Sequence, residues 1–133
     1  MLELALNNNN KKGVFQKDIA ENQDVSVKYL DHIIASLKAA GLIINVGGKK
    51  SGYKLNKPPE EITIYDVYKA FEDDIAIADC LLTDGECHRK NQCVLRDYWQ
   101  NLNQAIRSNL ESMSLKILAE RHKTIGHSAE VSN

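Results

Sequence analysis

Cys80, Cys87 and Cys93 are the only cysteines in this 133-residue chain, and they fall within fourteen residues of one another at C-x6-C-x5-C. Three thiols so placed are too clustered to read as scattered core residues, and an odd number cannot all pair as disulfides. Gathered thiolates do two kinds of chemistry: they ligate a soft metal centre, or they oxidise reversibly. Zinc sites usually bring a C-x2–4-C pair, which this sequence lacks. Arg89, Lys90 and Arg96 surround the trio with positive charge. The plain alternative is a set of loop cysteines with no role. No Gly-rich phosphate loop, catalytic-triad spacing or paired-carboxylate pocket accompanies them, so an enzyme is the class least expected.

Length bounds the chain to one domain, or to a small domain with an oligomerisation extension. No apolar run approaches the roughly 18 residues of a membrane span. The segment Met1-Leu2-Glu3-Leu4-Ala5-Leu6-Asn7 has neither the basic stretch nor the cleavage site of a secretion signal. A cytoplasmic setting is therefore expected, where thiols stay reduced and clustered cysteines serve metals or redox sensing. Net charge is −1, but it is unevenly spread. Residues 1–58 carry nine lysines against five acids, and residues 59–133 carry eight basic against thirteen acidic groups. A basic amino half joined to an acidic carboxyl half is expected when the first half faces phosphate; a chance fluctuation is the bland reading.

The elements that would position the thiols follow from periodicity and turn chemistry. Residues 2–6 read as the end of a helix closed by Asn7 to Asn10 and Gly13. Phe15 to Asn22 reads as a short helix with Ile19 and Ala20 inward, and Asp24 occupies the turn. Ser26 caps a second helix whose Leu30, Ile33, Ile34 and Leu37 recur at helical spacing. Ala20, Asp24 and Leu30 stand where a helix-turn-helix needs a small residue, a turn former and a core residue. Gly41 ends that helix. Leu42 to Val46, the basic tip Gly47 to Gly52 and the return Tyr53 to Leu55 make a hairpin wing, and Pro58-Pro59 closes the unit. Thr63 and Asp66 form a capping box for a helix over Ile64 to Phe71. Asp73 to Gln92, which hold two of the thiols, read as loop. From Val94 a helix runs to about Ser112, with Leu95, Trp99, Leu102, Ile106, Leu110 and Met113 as an apolar stripe that is either core or dimer seam. Ser114 caps a last short helix through Glu120, and residues 122–133 read as a frayed, flexible tail.

The outward face of the second helix offers Ser26, Lys28, Tyr29, Asp31 and His32, the short polar set that a major-groove helix needs near its amino end. Asp31 can accept from a cytosine amino group, and Ser26 and Tyr29 can meet phosphate or base edges. Lys49 and Lys50 at the wing tip can reach flanking phosphates. A solvated helix face and a soluble hairpin are the bland reading of the same residues. Helix-turn-helix, wing and local positive charge together favour DNA.

The ordered set of landmarks resembles the Rrf2 family of bacterial winged-helix regulators, the group of IscR, NsrR, RirA and CymR. The resemblance is carried by Asp18-Ile19-Ala20, Val25 to Asp31, Leu37 to Ile43, Ser51 to Leu55, Pro59 to Ile64 and the cysteine loop followed by Tyr98-Trp99. It spans roughly residues 1–120 and implies a mainly α fold with a small β-hairpin wing: a winged helix-turn-helix over 1–58, a connecting helix and cysteine loop over 59–93, a dimerisation helix and terminal helix over 94–121, and the tail. It also implies a homodimer built on Leu95, Trp99, Leu102, Ile106 and Leu110, and a palindromic double-stranded operator. Cys80, Cys87 and Cys93 match the positions that hold a 2Fe–2S or 4Fe–4S cluster in several members, a site that suits soft thiolates. The chain departs from the family in having Arg96 where the IscR pattern has a ligand histidine, and Gly47 where many members have a wing arginine. The family pattern also begins earlier, so residues are expected to precede Met1 in the native protein. His88 is the fourth ligand nearest in sequence, though its plainer reading is an exposed loop histidine; Glu3 is a distant alternative.

The leading expectation is thus a DNA-binding regulator that senses cluster status, nitric oxide or redox state. A cofactor-free regulator controlled by thiol oxidation or a protein partner is the second. A protein-interaction module that uses the long helix without DNA is the third.

Overall fold

The computed structural model describes residues 1–48, 51–82 and 87–131. Among the described residues six helices and one hairpin follow in the order α1 (Leu2–Leu6), α2 (Gln16–Asn22), α3 (Val27–Ala39), β1 (Ile43–Asn45), β2 (Tyr53–Leu55), α4 (Ile64–Lys69), α5 (Val94–Ser112) and α6 (Leu115–Val131). Single 3-10 turns lie at Pro59–Glu61 and Asp79–Leu81.

Local chemistry sets most boundaries. Asp24 takes φ 49° between α2 and α3, a left-handed turn that its short polar side chain tolerates. The Ser26 hydroxyl accepts from the Tyr29 N–H at 3.1 Å and caps α3. Gly41, at φ 70°, closes it. At α4 the Thr63 N–H donates to Asp66 at 2.8 Å and the Asp66 N–H donates to the Thr63 hydroxyl at 3.2 Å, a complete capping box.

β1 and β2 pair antiparallel, Ile43 opposite Leu55 and Asn45 opposite Tyr53. Val14 adds a bridge to Tyr53, its N–H and carbonyl both bonded at 2.9 and 2.8 Å. The wing is therefore anchored to the α1–α2 connection as well as to α3.

One core holds the head together. Leu4, Ala5, Ile19, Ala20, Leu30, Ile34, Leu37, Leu42, Ile43 and Leu55 share it with Ile62, Leu115 and Ala119. The carboxyl end therefore returns to the head. The Ile64 N–H donates to the Met113 carbonyl and the Leu115 N–H to the Ile62 carbonyl, both at 2.9 Å. These bonds seat Leu115, 1% exposed, beside the fully enclosed Ile62. α6 runs through Val131, whereas fading apolar periodicity predicted an end at Glu120. Between those positions no proline interrupts the chain, and the Thr124 hydroxyl bonds the Glu120 carbonyl at 3.1 Å, so nothing local stops the helix.

α5 differs from the other long elements. It spans nineteen residues and has none buried. Leu95 is 63% exposed and Leu102 40%. Trp99, Ile106 and Leu110 are half-buried. No helix among the described residues is long and apolar enough to cross a membrane.

Candidate nucleic-acid interface and cysteine loop

The amino end of α3 stands clear of the head. Ser26, Lys28, Tyr29, Asp31 and His32 sit on its solvent side, with Tyr29 58% exposed, while Leu30 and Ile34 face the core. Helical spacing separates the two sets, so burial of the apolar face presents the polar one. Gln16, the first residue of α2, completes this surface. Its amide nitrogen donates to the Val27 carbonyl at 3.3 Å and to Asp31 Oδ1 at 2.5 Å. Sequence reasoning missed Gln16 because the pair lies fifteen positions apart and neither residue carries a periodic signal.

The wing approaches the head through two glycines. A Cβ on Gly52 would lie 2.6 Å from the Gly13 carbonyl carbon and 2.7 Å from Val14 backbone atoms. Only bare backbone fits at this crossing. Gly47 and Gly48, at φ 118° and 76°, turn the tip, and the Ser51 hydroxyl donates to the Gly48 carbonyl at 3.0 Å. Lys49 and Lys50 lie outside the described residues.

The segment carrying the thiols is tied down at both ends. At its start the Tyr65 hydroxyl of α4 donates to Asp74 Oδ1 at 2.7 Å. Arg107 of α5 lies 3.9 Å from the other Asp74 oxygen, 4.8 Å from the centre of the Tyr65 ring, and 2.9 Å from Glu111. One turn back on α5, Asn103 donates to the Ile75 carbonyl at 2.6 Å and accepts from the Ile77 N–H at 3.2 Å. These contacts span residues far apart in sequence, and none announces itself by local spacing. The hydrogen bond to Asp74 raises the Tyr65 pKa above the usual phenol value. The same bond holds the Asp74 carboxyl below the usual carboxylate range. The Glu111 hydrogen bond raises the Arg107 pKa further.

At its far end the segment becomes α5 directly, with Cys93 as the residue before its first turn. Cys80 lies in the 3-10 turn Asp79–Leu81, which packs on α5, and Cys87 is exposed. An open cleft of about 410 Å³ lies beside that turn, lined by Leu81, Gln100, Asn101, Asn103 and Gln104. All three cysteines are free thiols. Among the described residues no three His, Cys, Asp or Glu side chains lie close enough together to hold a metal ion. His88 is exposed. Glu3 is already engaged, accepting from Asn22 at 2.9 Å and Gln23 at 3.3 Å.

A helix pair with an exposed second helix, a hairpin wing and a long trailing helix define a winged-helix DNA-binding protein. The family model described as Rrf2, iron-dependent transcriptional regulator, matches residues 1–121, and the chain belongs to the Rrf2 family of DNA-binding transcriptional regulators. It is 33% identical over 121 residues to a protein of Neisseria meningitidis serogroup A named as an HTH-type transcriptional regulator, covering 91% of this chain and 80% of that one. Among solved structures it is similar to CymR, the global cysteine regulator of B. subtilis (TM-score 0.74, 27% identity, 90% of this chain and 87% of that chain). It is also similar to T. potens IscR (TM-score 0.69, 26% identity, 91% of this chain and 78% of that chain). These relatives are regulators of transcription rather than enzymes.

Proposed function

We propose that the chain works as a homodimer that reads a palindromic operator with α3 and the wing, and that an iron–sulfur cluster held by Cys80, Cys87 and Cys93 sets its operator affinity. The observation that carries this reading is the placement of all three thiols on one connection whose two ends are fixed to α5. Three free thiols, which give up their protons on ligation, are the donor set that iron and bridging sulfide favour. A bound cluster supplies a redox-active centre reactive toward oxygen and nitric oxide. The donors are separate here, so ligation requires the connection to rearrange between its tethers. Among the described residues its own backbone bonds are short-range ones, such as Leu82 to Asp79 and Lys90 to Cys87, both at 3.0 Å.

Dimerisation is supported by α5 itself. A stripe in which Leu95 and Leu102 stay exposed and Trp99, Ile106 and Leu110 are only half-buried among the described residues is suited to a second copy. Rearrangement of the thiol connection then acts on α5 through Asn103 and Arg107, and α5 carries the spacing of the two heads. A difference of about 1–3 kcal/mol between the two states is enough to regulate binding.

Separation of the thiols and exposure of Cys87 favour a second reading, a regulator switched by thiol oxidation without a cofactor. Anaerobic purification followed by a visible spectrum, with iron and sulfide analysis, separates the two. The first reading predicts a coloured protein with stoichiometric iron and sulfide, lost in Cys87→Ala. A colourless protein retaining three titratable thiols selects the second.

A further inference from the structure

We propose that Gln16 and Asp31 form one composite reading edge, presenting only hydrogen-bond acceptors and so selecting bases that offer an exocyclic amino group. This rests on the reading that the amino end of α3 faces the major groove.

The argument begins with the Gln16 amide. Both of its neighbours, the Val27 carbonyl and the Asp31 carboxylate, can only accept. The amide nitrogen must therefore point at both, which fixes the amide orientation. Its two N–H groups are then spent. A free glutamine pairs with adenine by donating to N7 and accepting from N6, and that two-handed mode is closed to Gln16. Among the described residues Gln16 Oε1 and Asp31 Oδ2 keep no partner in the chain, so what remains free on the bonded pair is one carbonyl oxygen and one carboxylate oxygen.

In the major groove cytosine N4 and adenine N6 donate, while guanine O6, guanine N7, adenine N7 and thymine O4 accept. An edge of acceptors pairs with the first set and repels the second. The bond to Gln16 also holds the Asp31 side chain to one arrangement before DNA arrives, which lowers the ordering cost of reading. A carboxylate near phosphate weakens binding in general, so the pair supplies discrimination rather than affinity.

The test is selection of duplexes from a random pool by the full chain at fixed salt. Wild type is compared with Gln16→Met, Asp31→Ala and the double variant, with circular dichroism confirming each fold. Wild type should enrich cytosine or adenine at fixed half-site positions. Gln16→Met and Asp31→Ala should each relax the same positions by about 5- to 150-fold, the range for losing a good base contact. The double variant should add little to either, and the salt slope should stay unchanged because no phosphate contact is lost. A Gln16→Met profile identical to wild type, with Asp31→Ala relaxed, overturns the role of Gln16 and leaves α3 as the reader. Wild-type preference for guanine or thymine at the relaxed positions overturns the acceptor rule. No change in either variant overturns the placement of this end of α3 against bases, and the proposal with it.

Discussion

Replacing Gly52 by alanine should uncouple the wing from the head. The added Cβ would meet three backbone atoms of Gly13 and Val14 at 2.6–2.7 Å, and backbone cannot swing aside as a flexible side chain can. Gly52 has no left-handed φ, so the penalty is one of space alone. Two routes relieve it. The chain can absorb the clash by local shifts, at about 1–3 kcal/mol for overpacking. Alternatively the crossing can open, which breaks the Val14–Tyr53 bonds at 2.9 and 2.8 Å and the Gly52 to Lys12 bond at 3.2 Å. Those three bonds cost about 0.5–1.5 kcal/mol each. The first route therefore costs about 1–3 kcal/mol and the second about 1.5–4.5 kcal/mol, a large part of the roughly 5–15 kcal/mol that holds a domain folded. For a chain of this size the melting temperature should fall by about 3–16 °C. Gly48→Ala is the control. Its Cβ meets nothing within 4 Å, and only φ 76° opposes it, at about 1–2 kcal/mol. Thermal melts by circular dichroism and DNA binding by anisotropy read both variants. Gly52→Ala melting no lower than Gly48→Ala, with wild-type DNA affinity, would refute the claim that the glycine crossing fixes the wing.

Three further outcomes follow from the packing and the polar ties. Leu115→Ala removes a side chain 1% exposed from the head core and should cost about 2–5 kcal/mol, read as a lower urea midpoint. Leu102→Glu places charge in the α5 stripe; if α5 pairs with a second copy, sedimentation should shift from dimer to monomer while the far-ultraviolet spectrum stays unchanged. The Asp74–Tyr65 bond should hold at neutral pH and weaken at both extremes. Asp74 has a depressed pKa, so its contribution is present above the ordinary carboxylate value and is lost as pH falls through the depressed one. Tyr65 has a raised pKa, so its contribution is present below the ordinary phenol value and is lost as pH rises through the raised one. Asp74→Ala should bring one tyrosine of the five to a lower titration point in tyrosinate absorbance.

What could be read from the sequence was what the chain encodes within a turn or two. Ser26, Asp24, Gly41 and the Thr63–Asp66 box are local chemistry, and α5 shows its full extent, Val94 to Ser112, through a stripe repeating along one face. The thiol trio was visible for the same reason: its members are neighbours in sequence. The ties that give the loop its geometry were not visible. Tyr65, Asp74, Asn103 and Arg107 are ordinary polar residues until folding brings α4, the loop and α5 together. Gln16 likewise acquires meaning only from the crossing of α2 and α3. The return of α6 into the head, through Leu115 and Ala119, rests on apolar residues too few to signal which core they enter.

The central claim is that the state of the thiol connection is felt at the DNA surface. Its most direct test is operator affinity, measured anaerobically by anisotropy on one preparation before and after the cluster is stripped, at a single salt concentration. The account predicts a change of at least about 5-fold, the lower end of a working coupling, and no change in a Cys80→Ala, Cys87→Ala, Cys93→Ala triple variant. Equal affinity of the loaded and stripped protein for a specific operator would contradict it.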